Sequence, residues 1–260
     1  MLFRSASGSC RGSLGCELWA DCETPYAVVD GRECFFRPRD FVVTYSDPRL
    51  LIVRVSARRL ACTIAVAHAP HSGEDLAVRD AWWRGLSDRL AGQPDTVLLV
   101  DANGRIGSEV SAAVGPGGFR QVEDSGGALF HRTLLELGLC VPATFAGADS
   151  SAFTWVSNGG HPHRIDFVAV PVEWGREGLG AARHEVGRRV VAAPAAPREC
   201  GVVAVDAASD WEDHFLVTLT VPLVARAGTR LTCWRASAVD TSALGDEACR
   251  EKFQIGRAHV

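Results

Sequence analysis

Apolar residues along this chain fall into short blocks that stop abruptly at polar or turn-forming positions. Residues 41–45, 50–55 and 61–68 are three such blocks, with Asp47-Pro48 as a turn and 56–59 as a polar link, and they predict three strands. Residues 14–20 predict a further strand within a Gly-, Cys- and Arg-rich opening. Residues 75–91 place Leu76, Trp82, Trp83, Leu86 and Leu90 near helical spacing and predict a helix, as do 128–137. Residues 96–100 read as a buried strand, followed by strands at 153–156, 165–170 and 215–221. Residues 176–201, rich in Arg, Ala and Pro, read as a surface excursion. The order is mostly strands with a few helices between, and several strands are apolar on both faces. That pattern predicts an α/β (α+β type) fold: a two-sheet β-sandwich flanked by helices.

Composition narrows the class. At 47% hydrophobic the chain is no disordered segment, and 27 basic against 31 acidic residues exclude a polybasic nucleic-acid coat. Nucleic-acid contact must therefore be local, through an arginine patch or a bound cation. The apolar runs are far shorter than the ~20 residues of a membrane span, and the opening residues lack the apolar stretch of a signal peptide. Nine Cys occur without a C-x-x-C, and the even spacing of Cys10, Cys16 and Cys22 has no matching His. Reduced thiols, in a nuclear or cytoplasmic compartment, are the expectation. Only Lys252 is a lysine, a bias that fits GC-rich codons.

Both ends read as DNA-processing scars. Met1-Leu2-Phe3-Arg4-Ser5 translates one strand of a common short-read sequencing adapter, and Ile255-Gly256-Arg257-Ala258-His259-Val260 translates the other. Residues 1–5 and 254–260 are accordingly expected to stand outside the fold, leaving a domain at 6–222 and a linker at 223–253 towards a further domain.

The chemistry sits where apolar runs stop. The strand at 61–68 ends in His68, and that at 96–100 runs into Asp101-Ala102-Asn103. Asp166 precedes the apolar stretch 167–170, and Asp213-His214 precedes 215–221. The first two polar groups lie at C-terminal strand ends and the last two at N-terminal ends. If the strands alternate in direction, all meet on one edge. Carboxylates with an Asn oxygen suit a hard cation, and His beside Asp suits an oriented general base. The combination suits metal-assisted phosphodiester hydrolysis.

The residues also carry a resemblance. Val97-Leu98-Leu99-Val100-Asp101-Ala102-Asn103, Thr154-Trp155, Arg164-Ile165-Asp166-Phe167 and Asp213-His214 resemble, in order, the G-D-x-N, T-W, R-x-D-Y and S-D-H signatures of the endonuclease/exonuclease/phosphatase superfamily, whose fold is DNase I-like. Glu123 to Leu129, Thr144-Phe145 and Phe153-Thr154-Trp155 are similar to elements of the endonuclease domains of non-LTR (LINE-type) retrotransposons. The resemblance spans about 12–222. It implies a Mg2+-dependent endonuclease, with Mn2+ as an alternative ion, that nicks DNA ahead of a downstream reverse transcriptase domain. It also implies roles. Asp101 positions or activates water, Asn103 contacts the phosphate, Asp166 holds the tautomer of His214, and His214 is base or phosphate contact. Thr154 supports the His214 region, Asp213 assists the metal, and His68 stands where the family has Tyr.

Three departures matter. Ser-Asp-His is here Glu212-Asp213-His214, Tyr is replaced by His68, and the family's opening strands, one ending in the Glu that is the principal metal ligand, have no counterpart. The segment alone is therefore expected to be inactive. Alternatives are a phosphatase or phosphodiesterase of the same fold, and a non-catalytic remnant that acts as a binding module. Elsewhere the plain structural reading is preferred. His71 is a loop residue, and His161 and His163 flank Pro162 in a solvated turn. Trp155 packs in the core, and Trp82 and Trp83 divide between rim and core. Arg183, Arg188 and Arg189 fit either contact with a nucleic-acid backbone or a solvated face, and His131 and His184 carry no assignable chemistry.

Overall fold

A computed structural model of the chain describes residues 1–4, 15–29, 31–58, 60–93, 95–116, 121–145, 153–157, 159–175, 184–186, 189–191, 199–203, 214 and 216–220. The expected linker at 223–253 and the C-terminal scar lie outside these residues, as do Asp213, Arg183 and Arg188.

The strands are β1 (Leu2–Arg4), β2 (Glu17–Trp19), β3 (Ala27–Val29), β4 (Arg32–Cys34), β5 (Phe41–Asp47), β6 (Leu50–Ala57) and β7 (Leu60–His68). Helix α1 (Leu76–Leu90) leads to β8 (Thr96–Asp101), and α2 (Ser125–Leu137) to β9 (Leu139–Cys140), β10 (Trp155–Val156), β11 (Pro162–His163) and β12 (Asp166–Pro171). The one-turn α3 (Val172–Gly175) follows, then β13 (His184–Val186), β14 (Arg189–Val191), β15 (Glu199–Val203) and β16 (Leu216–Thr220). The stretch read as a surface excursion thus contains β13 paired with β14, and at its end the start of β15, which pairs with β16 further along the chain.

The centre is a six-stranded sheet in the order β5-β6-β7-β8-β12-β9. β6 shows why its first four residues are all apolar. Leu50 and Ile52 face a core lined by the helices, while Leu51, Val53 and Val55 face a second core on the other side. Both faces are buried over residues 50–53, which erases hydrophobic-polar alternation there; it returns at the far end, where Arg54 and Ser56 are exposed between Val53, Val55 and Ala57. On the helix side Trp83 of α1 stacks on Phe130 of α2 at 5.3 Å, and Phe130 reaches Phe167 of β12 at 5.3 Å. Trp83 is buried and Trp82 half-buried, the expected division between core and rim. Burial of each such side chain contributes roughly 1.5–3 kcal/mol.

The opposite face corrects the expectation for the N-terminus. β1 pairs antiparallel with β2, Phe3 opposite Leu18, and Phe3 lies 5.2 Å from Phe41. Met1 donates from its amino group to the Ala20 carbonyl at 2.8 Å. Residues 2–4 therefore stand inside the fold: Met1 and Phe3 pack on the face formed by Leu51, Val53 and Val55. Among the described residues the second layer on this face consists of such short pieces.

Helix α2 is anchored by its first turn. Asp124 caps it, accepting from the Gly127 amide at 2.8 Å, and Gly138 closes it in the left-handed conformation, φ 64°. Gly127 lies so close to the Arg105 carbonyl that a Cβ would collide with backbone, which fixes the helix start beside the loop leaving β8.

Candidate active site

Strand register builds a row of polar groups. β7 and β8 are parallel, with His68 opposite Asp101, and β12 is antiparallel to β8, with Asp166 opposite Asp101. The premise of strictly alternating strands is corrected for the first pair. The groups still meet, because His68 and Asp101 both end their strands and parallel strands end on one edge. Backbone hydrogen bonds lock the three strand ends together: Ala69 N–H to the Asp101 carbonyl at 2.9 Å, and Ala102 N–H to the Ile165 carbonyl at 2.8 Å.

Neighbouring strands lie about 4.8 Å apart, so this register sets two carboxylates side by side. Like charges so placed repel. Burial, and then the charge of Asp166, push Asp101 up to about 6. The counter-groups are histidines. His214 Nδ1 lies 3.0 Å from Asp166 Oδ2, and His68 Nε2 lies 3.6 Å from Asp101 Oδ2. Asp101, Asp166 and His214 each offer a ligand atom within 4.8 Å of the others. When His214 carries its proton on Nδ1, it donates to Asp166 and leaves Nε2 as the basic nitrogen. Burial, then the charges of Arg49 and His214, hold His68 below the ordinary histidine range, so it is neutral at pH 7.

The supporting residues behave less simply than expected. Thr154, fully buried, accepts from the amides of Ile165 and Asp166 at 2.9 and 3.0 Å. It holds the backbone of Asp166 and so acts one residue away from His214. Asn103, at φ 45°, donates its amide backbone N–H to Asp101 Oδ1 at 2.9 Å and its side-chain Nδ2 to the Ala69 carbonyl at 2.8 Å. Its side-chain nitrogen therefore already braces the β7 end. Trp155 is half-buried at the site, stacked on His163 and 6.4 Å from the His214 ring, where a core position was expected. His163 is correspondingly part of β11, while His161 is exposed and His71 is a loop residue that accepts from the Gly73 amide.

Sequence reasoning missed two features. Arg49 lies beside His68, whose amide donates to the Arg49 carbonyl at 2.9 Å. The signal was available, since an antiparallel pairing of Leu50 with Ala67 puts residue 49 across from 68. The second is a buried relay. His131 holds Ser111 Oγ at 2.6 Å on Nε2 and Glu123 Oε2 at 2.9 Å on Nδ1. Nothing in local pattern links positions 111, 123 and 131, which only the loop fold brings together.

No protein-family model matches the chain, and no curated protein matches it. Solved structures similar to it include the endonuclease domain of TRAS1, a telomere-specific non-LTR retrotransposon, at 15% identity and TM-score 0.46, covering 73% of this chain and 72% of that one. The 3'-5' exonuclease NExo of Neisseria meningitidis is similar at 15% identity and TM-score 0.45, over 70% of each chain. An endonuclease/exonuclease/phosphatase family protein of Leptotrichia buccalis is similar at 12% identity and TM-score 0.45, over 86% of this chain and 72% of that one. No helix among the described residues is long and apolar enough to cross a membrane.

Proposed function

We propose that this chain is the phosphodiesterase module of a DNA-nicking endonuclease from a retroelement, dependent on a divalent cation. One observation carries the reading: Asp101 and Asp166 stand opposed across two strand ends, with His214 bonded to Asp166. Two carboxylates in register, one of them raised to about 6, are a costly arrangement that a cation relieves. The donor set therefore fits a hard ion such as Mg2+ or Mn2+. Asp101 and Asp166 would hold it, with Asp213 as a further ligand, and the ion would supply positive charge that polarises the phosphate.

The residues divide the remaining work. Asp101 orients the attacking water. Asp166 fixes the His214 tautomer, and His214 Nε2 meets the phosphate or takes the proton, the role of a positioned base. Neutral His68 donates an N–H to a phosphate oxygen, as a tyrosine hydroxyl would. Thr154 keeps Asp166 in place through its backbone.

The test is nicking of supercoiled plasmid with Mg2+, run on this chain and on one extended upstream in its reading frame, beside hydrolysis of a small nucleotide ester. The reading expects Mg2+-dependent nicking by the extended form, lost with chelator and in His214→Ala, with little or none by the shorter form. Turnover of the ester without nicking would make it a phosphatase. Neither reaction in either form would leave a non-catalytic binding module.

A further inference from the structure

We infer that Arg49 is a substrate-binding residue that grips the reacting phosphate beside Asp101 and His214. The inference rests on the phosphodiesterase reading above. Arg49 ends the turn between β5 and β6 and is half-buried on the site edge. Its guanidinium Nη1 donates to the Ala69 carbonyl at 3.3 Å, with the His68 carbonyl at 3.5 Å. The Ala69 carbonyl also accepts from Asn103 Nδ2, so two donors, one of them a cation, converge where β7 and β8 end. The positive charge is near enough to weigh on both His68 and Asp101.

Arg49 lacks a matched anion among the described residues. Arg54, Arg79 and Arg89 lack one there too, but they are spent on Gln93, on Ser125 and on the Gly85 carbonyl with the Tyr45 ring, whereas Arg49 stands at the end of β7 beside His68. Arg105 is paired with Asp124, and Arg84 and Arg132 with Asp80. Asp47, two residues from Arg49, spends one oxygen on the Arg49 backbone N–H and the other on the Tyr45 hydroxyl. Among the described residues, the Arg49 guanidinium forms no ion pair. A half-buried guanidinium held by carbonyls, with its charge unanswered, suits a phosphate, which it can meet with two parallel N–H donors.

The experiment measures binding, so it does not depend on turnover. A fluorescein-labelled 20-bp duplex is titrated with the whole chain across a salt series, with thymidine 5'-phosphate as competitor. Arg49→Gln should weaken duplex binding about tenfold, lower the slope of log K against log salt by about one, and weaken the competitor similarly. Arg49→Lys should keep the slope while recovering part of the affinity. Both variants should melt with the parent. Unchanged binding and slope in Arg49→Gln, with the parent binding well, would overturn the inference and leave the phosphodiesterase reading standing. A loss confined to the duplex would move Arg49 to a flanking phosphate and overturn the assignment to the reacting one. Equal losses in both variants with a lowered melting temperature would make Arg49 structural. A parent that binds neither probe would overturn the functional reading with it.

Discussion

Two histidine-carboxylate pairs in this molecule have nearly the same length and different surroundings. His214–Asp166 spans 3.0 Å and His131–Glu123 spans 2.9 Å. The His214 side chain is 41% exposed and its Asp166 faces a second carboxylate, whereas His131 is 9% exposed and its second nitrogen is taken by Ser111. Ser111 Oγ in turn accepts from the amides of Ala113 and Val114 at 2.9 and 3.2 Å. A serine, histidine and acid in line would suggest a nucleophile, but both lone pairs of that hydroxyl are occupied and its proton goes to the ring. The buried relay is a fastening for the loop between β8 and α2. The exposed pair has repulsion left to relieve and room for a ligand. A hydrogen-bonded pair acquires chemistry from what its neighbours leave unsatisfied.

The largest effect that tests this contrast is on rate. In the form that nicks DNA, His214→Ala should slow nicking by roughly 10²–10⁴-fold, about 3–5 kcal/mol of barrier, with the melting temperature nearly unchanged. A rate within threefold of the parent would remove His214 from the reaction.

The buried pair should respond the other way. His131→Ala strands a half-buried glutamate and a half-buried hydroxyl, and should destabilise by about 2–4 kcal/mol in urea unfolding. Glu123→Gln should cost less, about 1 kcal/mol, because an amide still accepts from the ring. Loss of nicking in His131→Ala under conditions where it stays folded would erase the distinction between the pairs.

Asp101 gives the opposite sign on stability. Its carboxyl titrates near 6 when folded against an ordinary 3.8, so the folded state binds more protons between those values. Without divalent cation, stability should therefore fall as pH rises from about 4 to about 7. Asp101→Asn should remove that fall, gaining on the order of 2 kcal/mol at pH 7 while abolishing nicking. A variant less stable than the parent at pH 7 would show that Asp101 makes attractions that outweigh its burial and the charge of Asp166.

The smallest expected effect concerns the N-terminus. Deleting residues 1–4 removes a three-residue strand and the Phe3–Phe41 contact, and should lower stability by about 1–2 kcal/mol, read as a drop of a few degrees in melting temperature. No change would return those residues to the role of an appended scar.

What could be read from sequence followed from what is local. The β6 and β8 runs, the α1 spacing, and polar residues at strand ends are properties of neighbours in the chain, and the row of His68, Asp101 and Asp166 was legible from them. Parallel pairing of β7 with β8 was not, since direction depends on α1 crossing over. Trp155 was read as core, yet a two-residue strand leaves it half-buried beside His214. The Leu2–Arg4 strand was discounted on the origin of its codons, while packing responds only to the apolar side chains of Met1 and Phe3 against Leu51 and Val53. The Ser111–His131–Glu123 relay joins positions that share no periodicity, so only the folded loop reveals it.

If the opposed carboxylates Asp101 and Asp166 form a cation site and the His131–Glu123 pair does not, the two should part company in metal binding. Titration of the whole chain with Mn2+, followed by loss of the free-ion electron paramagnetic resonance signal, tests it directly. A bound ion is expected, lost in Asp101→Asn/Asp166→Asn and retained in Glu123→Gln. Equal Mn2+ binding by the parent and the double variant would contradict it.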